Sequence, residues 1–496
     1  MTYTHLPRPR LKRALLAIAC LAVFTTANAT ASDPDGAFVF KSASGQTTEA
    51  VRGSLQVPEN RADPNSRMLT LRYVRFPATT KTPGAPIIYL SGGPGGSGIE
   101  TAKRERFPLF MAMRQYGDVI ALDQRGTGAS DDTPLCEPKN APSDSKRMTD
   151  AEYAAAYRVA ALECAAFWKG RGIDLRGYTT NESADDLDAI RRQLGADRIS
   201  LWGISYGTHL ALAALKRMDD RIDRVVLASA EGLDQTVKLP AQTDAYFDRL
   251  QAAIDADPRA KAAYPDIKAL IHRVHQRLDE KPVLLALKGP DGADAPVLLQ
   301  RRSLQMIEAG AIADPQGAVM MLALYAAADA GDYQPLAAVM QRFTSPGAPL
   351  QLRAMPLAMD AASGIGNDLL ARVETQAKTA LLGDTLNFPM PQLHGAFPEL
   401  DLGDDFRTAP TSSAPTLLLM GTLDGRIYPE SQREAVARLE NLQAITVVNA
   451  GHNLFMVSPE VTAAIERFMR GEPMASAEIV IPAPDFTPAL PPAATP

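Results

Sequence analysis

Six short apolar runs, each closing on glycine or a turn, constrain this chain more than any other feature. They are IIYLSGG (87–93), DVIALDQRG (118–126), RISLWGIS (198–205), RVVLASA (224–230), PTLLLMG (415–421) and AITVVNAG (444–451). Runs of this length, rich in Ile, Val and Leu with polar residues only at their ends, suit strands buried on both faces. Helical periodicity separates them, as in SADDLDAIRRQLG (183–195), where Ser183 is placed to cap and Asp186 follows three residues on. Residues 429–439 and 459–469 each open on proline, which a first helical turn tolerates. Strands alternating with helices predict a doubly wound, mostly parallel α/β sheet. Ahead of them, SLQVPEN and MLTLRYVRF alternate in β fashion between residues 50 and 78.

The alternation breaks between residues 235 and 405, a stretch rich in Ala, Leu and Met with helical patterning. It predicts a helical cap inserted into a core whose two parts are 30–234 and 406–477. Residues 478–496, ending in ALPPAATP, predict an extended Pro-rich tail. At the other end, Arg8, Arg10, Lys12 and Arg13 precede an apolar run at 14–24 and the small residues TTANATAS. That order predicts a signal peptide over residues 1–29, cut after Ala29 or Ala31, and a secreted or periplasmic protein. The run falls well short of the roughly 20 apolar residues of a spanning helix, so no membrane insertion is expected after cleavage. Cys20 lies within it, after Ala17, Ile18 and Ala19, but without the leucine of a lipoprotein box. Export places Cys136 and Cys164 in an oxidising setting, where an isolated pair forms a disulfide.

Lys and Arg number 51 against 57 Asp and Glu, a net charge of −6 with no long basic run, which argues against a nucleic-acid partner. The chemistry instead centres on GISYG (203–207), which closes one strand run and opens the helical pattern THLALAALKRM. A Gly-x-Ser-x-Gly in that setting is a nucleophile elbow, with Ser205 at the carboxyl edge of the sheet and small residues permitting the sharp turn. Serine needs a base, and the base needs an orienting acid. Of the six histidines, His5 leaves with the signal peptide, and His209 follows Ser205 on its helix. His272 and His275 read as a solvated helix face in the cap, and His394 sits in an irregular stretch. His452, in NAGHNLF after the last apolar run, is the candidate base. Asp424, in GTLDG after the run before it, is the candidate acid, ahead of Asp123, Asp234 and Asp404. Oxyanion donors would be the backbone N–H of Tyr206 and, from the glycine-rich SGGPGGSG (91–98), that of Gly93. No Walker or dinucleotide fingerprint is present, and neither a cofactor nor a metal is called for.

GGPGGSG, DQRGTG (123–128), GISYGT, GTLDG and AGHN, in that order over roughly residues 50–470, resemble the secreted α/β-hydrolase peptidases related to proline iminopeptidase and tripeptidyl aminopeptidase. The resemblance implies an α/β-hydrolase fold, the triad Ser205, Asp424 and His452, and a final region like the tripeptidyl aminopeptidase C-terminal domain. It also implies a cap that admits short peptides by their free N-terminus. The cysteine pair falls within it. Ser91 departs from the pattern, standing where proline iminopeptidases usually carry His. Glu231, after the strand that follows the elbow helix, is a candidate for holding the substrate amine, set against a solvated loop carboxylate. DQRGTG reads as scaffold. The expected protein is an exported, monomeric serine aminopeptidase; an esterase or amidase acting on small non-peptide acyl compounds is the alternative, because one triad serves both.

Overall fold

The computed structural model describes residues 36–130, 133–343 and 346–487. The expected signal peptide, its cleavage site and the last residues of the tail lie outside them. Among the described residues the central sheet has ten strands: β1 (Ala37–Lys41), β2 (Thr47–Pro58), β3 (Met68–Phe76), β4 (Ile87–Leu90), β5 (Val119–Asp123), β6 (Ile199–Ser205), β7 (Ile222–Ala230), and, after a small hairpin of β8 (Val283–Leu285) and β9 (Val297–Leu299), β10 (Thr416–Gly421), β11 (Leu442–Val448) and β12 (Glu478–Val480). Their order is β1-β2-β3-β5-β4-β6-β7-β10-β11-β12. The first three strands join antiparallel, and everything from β5 to β12 is parallel.

The period of two along a strand explains why the runs are wholly apolar. Ile88, Leu90, Leu201, Leu227 and Leu418 enter one buried cluster, with the helices Asp150–Lys169, Thr180–Gln193 and Tyr206–Met218. Their neighbours Ile87, Tyr89, Trp202, Val226 and Leu417 enter another on the opposite face, with the helices Phe107–Met113 and Pro459–Met469. There Tyr89, Phe110, Trp202 and Phe455 form an aromatic knot with ring centroids about 5 Å apart. Because β4, β6, β7, β10 and β11 run parallel, the loops that leave their carboxyl ends meet at one edge.

Local signals were partly misplaced. Helix Thr180–Gln193 is capped by Thr179, whose hydroxyl accepts from the Glu182 N–H, so Ser183 lies inside it. Asp186 faces Arg125 instead of its own helix start. The segment expected as a tail opens with β12, paired in parallel with β11, and Phe486 beyond it is buried.

Between β7 and β10 the chain is mainly helical, from Pro240–Asp255 to Gly403–Arg407. It packs in two ways. Tyr246, Phe247, Ile271, Leu322 and Tyr325 build a core of their own, whereas Met355, Leu357, Ala358, Leu393 and Phe406 join the cluster on the sheet. Cys136 and Cys164 form a disulfide, with Cα atoms 5.6 Å apart. Cys136 also exchanges both backbone hydrogen bonds with Leu352, just ahead of helix Ala354–Ser363.

Candidate active site

Ser205 ends β6 and immediately precedes helix Tyr206–Met218, with φ 55° and ψ −130°. A side-chain-bearing residue is strained there, and the surroundings must enforce it. They do so by close approach. A Cβ on Gly207 would lie 2.0 Å from the Leu90 carbonyl oxygen, and one on Gly203 would lie 2.6 Å from that of Gly207. The hydroxyl of Thr208 donates to the Ser205 carbonyl at 2.6 Å and accepts from the Glu231 N–H at 2.7 Å, tying the elbow to the end of β7. The Tyr206 N–H, at the first position of its helix, lacks an intrahelical acceptor and carries the positive end of the helix dipole.

Asp424 is wholly buried in the loop after β10, and its Oδ1 accepts the backbone N–H groups of Arg426 and Ile427 at 2.8 and 2.9 Å. His452 Nδ1 lies 3.0 Å from Asp424 Oδ2 and 3.2 Å from Oδ1. A carboxylate at Nδ1 places the proton there and leaves Nε2 as acceptor, the tautomer a general base needs. The His452 carbonyl accepts from the Ser229 hydroxyl at 2.9 Å, one residue before Ala230, which pairs with Ser205 across β6 and β7. Acid and imidazole are thus joined, and the histidine backbone is tied to the strand that neighbours the elbow. A Ser205–His452 hydrogen bond is not formed in this structure; such bonds commonly tighten only with substrate bound.

The loop after β4 lies over the serine: a Cβ on Gly92 would sit 3.0 Å from that of Ser205. Gly93 has φ 127°, a conformation open to glycine, and its N–H meets no backbone acceptor among the described residues. Arg353 reaches across to donate to the Gly95 carbonyl at 3.3 Å, and Pro356 packs on the same glycine, so helix Ala354–Ser363 presses on this loop.

A profile of the α/β hydrolase fold matches residues 85–459. The chain belongs to the α/β-hydrolase family. It is 33% identical over 191 residues to serine protease Hip1 of Mycobacterium tuberculosis, a match covering 36% of each chain. It is 30% identical over 186 residues to the tripeptidyl aminopeptidase of Streptomyces lividans, covering 36% of this chain and 34% of that one. The match therefore spans about a third of the length of these curated relatives. Among solved structures, a thermophilic esterase from Thermogutta terrifontis aligns with 84% of this chain and 98% of its own, at 16% identity and a TM-score of 0.37.

Around the elbow this α/β hydrolase gathers charge that its sequence only half revealed. Glu231 is not a solvated loop carboxylate: it is buried, with Oε2 3.3 Å from the Lys238 ammonium. Asp360, on helix Ala354–Ser363, was missed, because nothing in AMPLAMDAAS marks an acid as functional. Burial, with the Glu231 charge adding to it, pushes the Asp360 carboxyl up to about 7, against the pull of Lys238 and Arg426. His209 is buried between the Gly232 carbonyl at 3.1 Å and the Ser363 hydroxyl at 3.2 Å, and burial depresses its pKa.

His275, expected on a solvated face, is buried too, 2.7 Å from the Tyr325 hydroxyl, which in turn meets Glu308. Burial lifts the Glu308 carboxyl to about 8 and lowers His275 to about 3. A cavity of about 1040 Å³ beside His275 is lined by Asp150, Asp279, Arg301 and Arg302, whose charges pair with one another, and by none of Ser205, Asp424 and His452. Among the described residues no group of three or more His, Cys, Asp or Glu is arranged to hold a metal.

DQRGTG serves the scaffold. Asp123 accepts from the Ser97 hydroxyl at 2.6 Å and from the N–H groups of Ile99 and Ala129 at 3.0 and 2.8 Å. Arg125 is fully buried and grips Asp186 with two bonds, at 2.7 and 2.6 Å.

Proposed function

We propose that this α/β hydrolase is an exported serine aminopeptidase, releasing one or a few residues from the free N-terminus of short peptides. The observation that carries this reading is the Asp424–His452 pair, at 3.0 Å, with the His452 carbonyl tied to Ser229 on the strand that pairs with the one ending in a strained Ser205. Ser205 Oγ bonds to the scissile carbonyl carbon as its proton passes to His452 Nε2. The carbonyl electron pair moves onto the oxygen, which the N–H groups of Gly93 and Tyr206 hold. Collapse breaks the C–N bond, and the imidazolium returns its proton to the leaving amine. Water then attacks the acyl-enzyme by the same relay and frees the serine. No cofactor takes part, and the chain acts as a monomer.

Glu231 and Asp360 support the aminopeptidase form of the reading: two acidic groups whose charges act on one another and on Tyr206, next to the nucleophile in sequence, suit a substrate ammonium. Residues 235–405 act as the cap, with Arg353 and Pro356 seated on the oxyanion loop. The disulfide and the basic-then-apolar start of the chain support export, with cleavage after Ala29 or Ala31.

The test is a panel of aminoacyl-arylamides with free and blocked amines, beside simple esters. Free-amine substrates are expected to turn over far faster than blocked ones, and Ser205→Ala to lower turnover by roughly 10⁵- to 10⁶-fold. Equal rates on both, or cleavage of esters alone, would favour the esterase alternative.

A further inference from the structure

The helices Arg301–Ala311 and Pro315–Asp329 meet at residues 312–314, and this junction lies against both loops that carry the acid and the base. The Gly425 N–H donates to the Ile312 carbonyl at 3.1 Å, and the His452 N–H to the Ala313 carbonyl at 2.8 Å. Arg426 donates to the Ala309 carbonyl at 3.2 Å. Asp314 then takes two bonds from the residue after the histidine: Asn453 N–H to Oδ1 at 3.0 Å and Asn453 Nδ2 to Oδ2 at 2.5 Å. The Asn453 side-chain oxygen accepts in turn from Arg106 at 2.8 Å.

Two features set this apart from ordinary packing. Asp314 stands at the N-cap of helix Pro315–Asp329, where an Asp side chain normally accepts from its own helix, yet it makes no capping bond. Its acceptors are spent on the histidine loop instead. Second, the glycines of the two loops are needed for this approach. A Cβ on Gly425 would lie 2.2 Å from the Ile312 oxygen, and one on Gly451 would lie 2.6 Å from Asp314 Oδ1 and 2.7 Å from the Ala313 oxygen. Neither glycine has the positive φ that would otherwise account for it.

We propose that Asp314 is a positioning residue for the general base: with the Ile312 and Ala313 carbonyls it brackets the acid and histidine loops, so that the helical insertion sets where the His452 imidazole stands. This rests on the serine-hydrolase reading above. An imidazole released from the bracket shifts relative to Ser205, and a misplacement of about 1 Å can cost on the order of a hundredfold in rate.

The test uses the full chain with a fluorophosphonate probe, reading the labelling rate of Ser205 as a function of probe concentration, together with thermal unfolding. Asp314→Ser keeps a good helix cap but is too short to take both Asn453 donors. It is expected to slow the maximal labelling rate by about tenfold or more, leaving the half-saturating probe concentration and the unfolding midpoint unchanged. Asp314→Asn keeps an acceptor for the Asn453 N–H and is expected to recover most of the rate. Labelling of Asp314→Ser at the parental rate would overturn the proposal. So would a slow Asp314→Ser whose unfolding midpoint falls and whose defect Asp314→Asn shares in full, since that marks a purely structural role. Ser205→Ala runs alongside: labelling undiminished there would remove the nucleophile, and this inference with it, whatever Asp314 does.

Discussion

Asp360 owes its chemistry to its neighbours. An aspartate in water loses its proton near pH 4, but here burial and the adjacent Glu231 hold the proton to about pH 7. Were Asp360 to share in holding the substrate amine, the sign would follow directly. Below about pH 7 the carboxyl is neutral and binds an ammonium weakly; above it the carboxylate is charged, while a peptide α-amine keeps its own charge to roughly 7.7–8.0. The KM for free-amine substrates is therefore expected to fall severalfold as pH rises from about 6 to about 7.5, with no such trend for N-blocked ones. Asp360→Asn should flatten the profile, as Michaelis constants across that range will show. At this scale the sharp turn at Ser205 and the Asp424–His452 contact were legible because each residue sits beside glycines at the end of an apolar run, a local mark. Asp360 and the buried state of His275 were not, because both depend on which helices fold over them.

At the level of elements, the strands were readable because burial on both faces leaves a continuous apolar signature. Caps and ends were less so: Thr179 and Ser183 are both sound N-caps, and only the packing of Asp186 against Arg125 selects the earlier one. That pair bears weight in the fold. Arg125, fully buried, also donates to the carbonyls of Glu59 and Gly177, tying β2, the loop after β5 and helix Thr180–Gln193 together. Arg61 shares Asp186 Oδ1 with Arg125, at 2.6 Å, and would compensate in part for loss of Arg125. Arg125→Met is accordingly expected to cost about 3 kcal/mol, the lower end of the range for breaking a buried ion pair, read from the urea midpoint at constant m-value.

Across the whole molecule, the mainly helical stretch between β7 and β10 showed in the sequence as an interruption of the strand–helix rhythm. Its division was hidden, because both halves are Ala- and Leu-rich and only contact partners distinguish them. One half has its own core; the other shares the core of the sheet and leans on the glycine loop over Ser205. The disulfide belongs to this second attachment, since Cys136 pairs through its backbone with Leu352. Replacing both cysteines by serine is expected to cost about 3–4 kcal/mol in the chain-entropy model for a loop of this size. Hydrogen exchange should then quicken at residues 352–363 while β6 and β10 stay protected.

The claim on which the rest depends is that Ser205 is a nucleophile activated through His452 and Asp424, and mapping the covalent adduct tests it most directly. The full chain is treated with a fluorophosphonate, digested, and each modified residue assigned by mass spectrometry. A single adduct on Ser205, formed rapidly by the parent and slowed by orders of magnitude in His452→Ala, is the expected result. An adduct on another residue, or a well-folded parent that takes none, would contradict it.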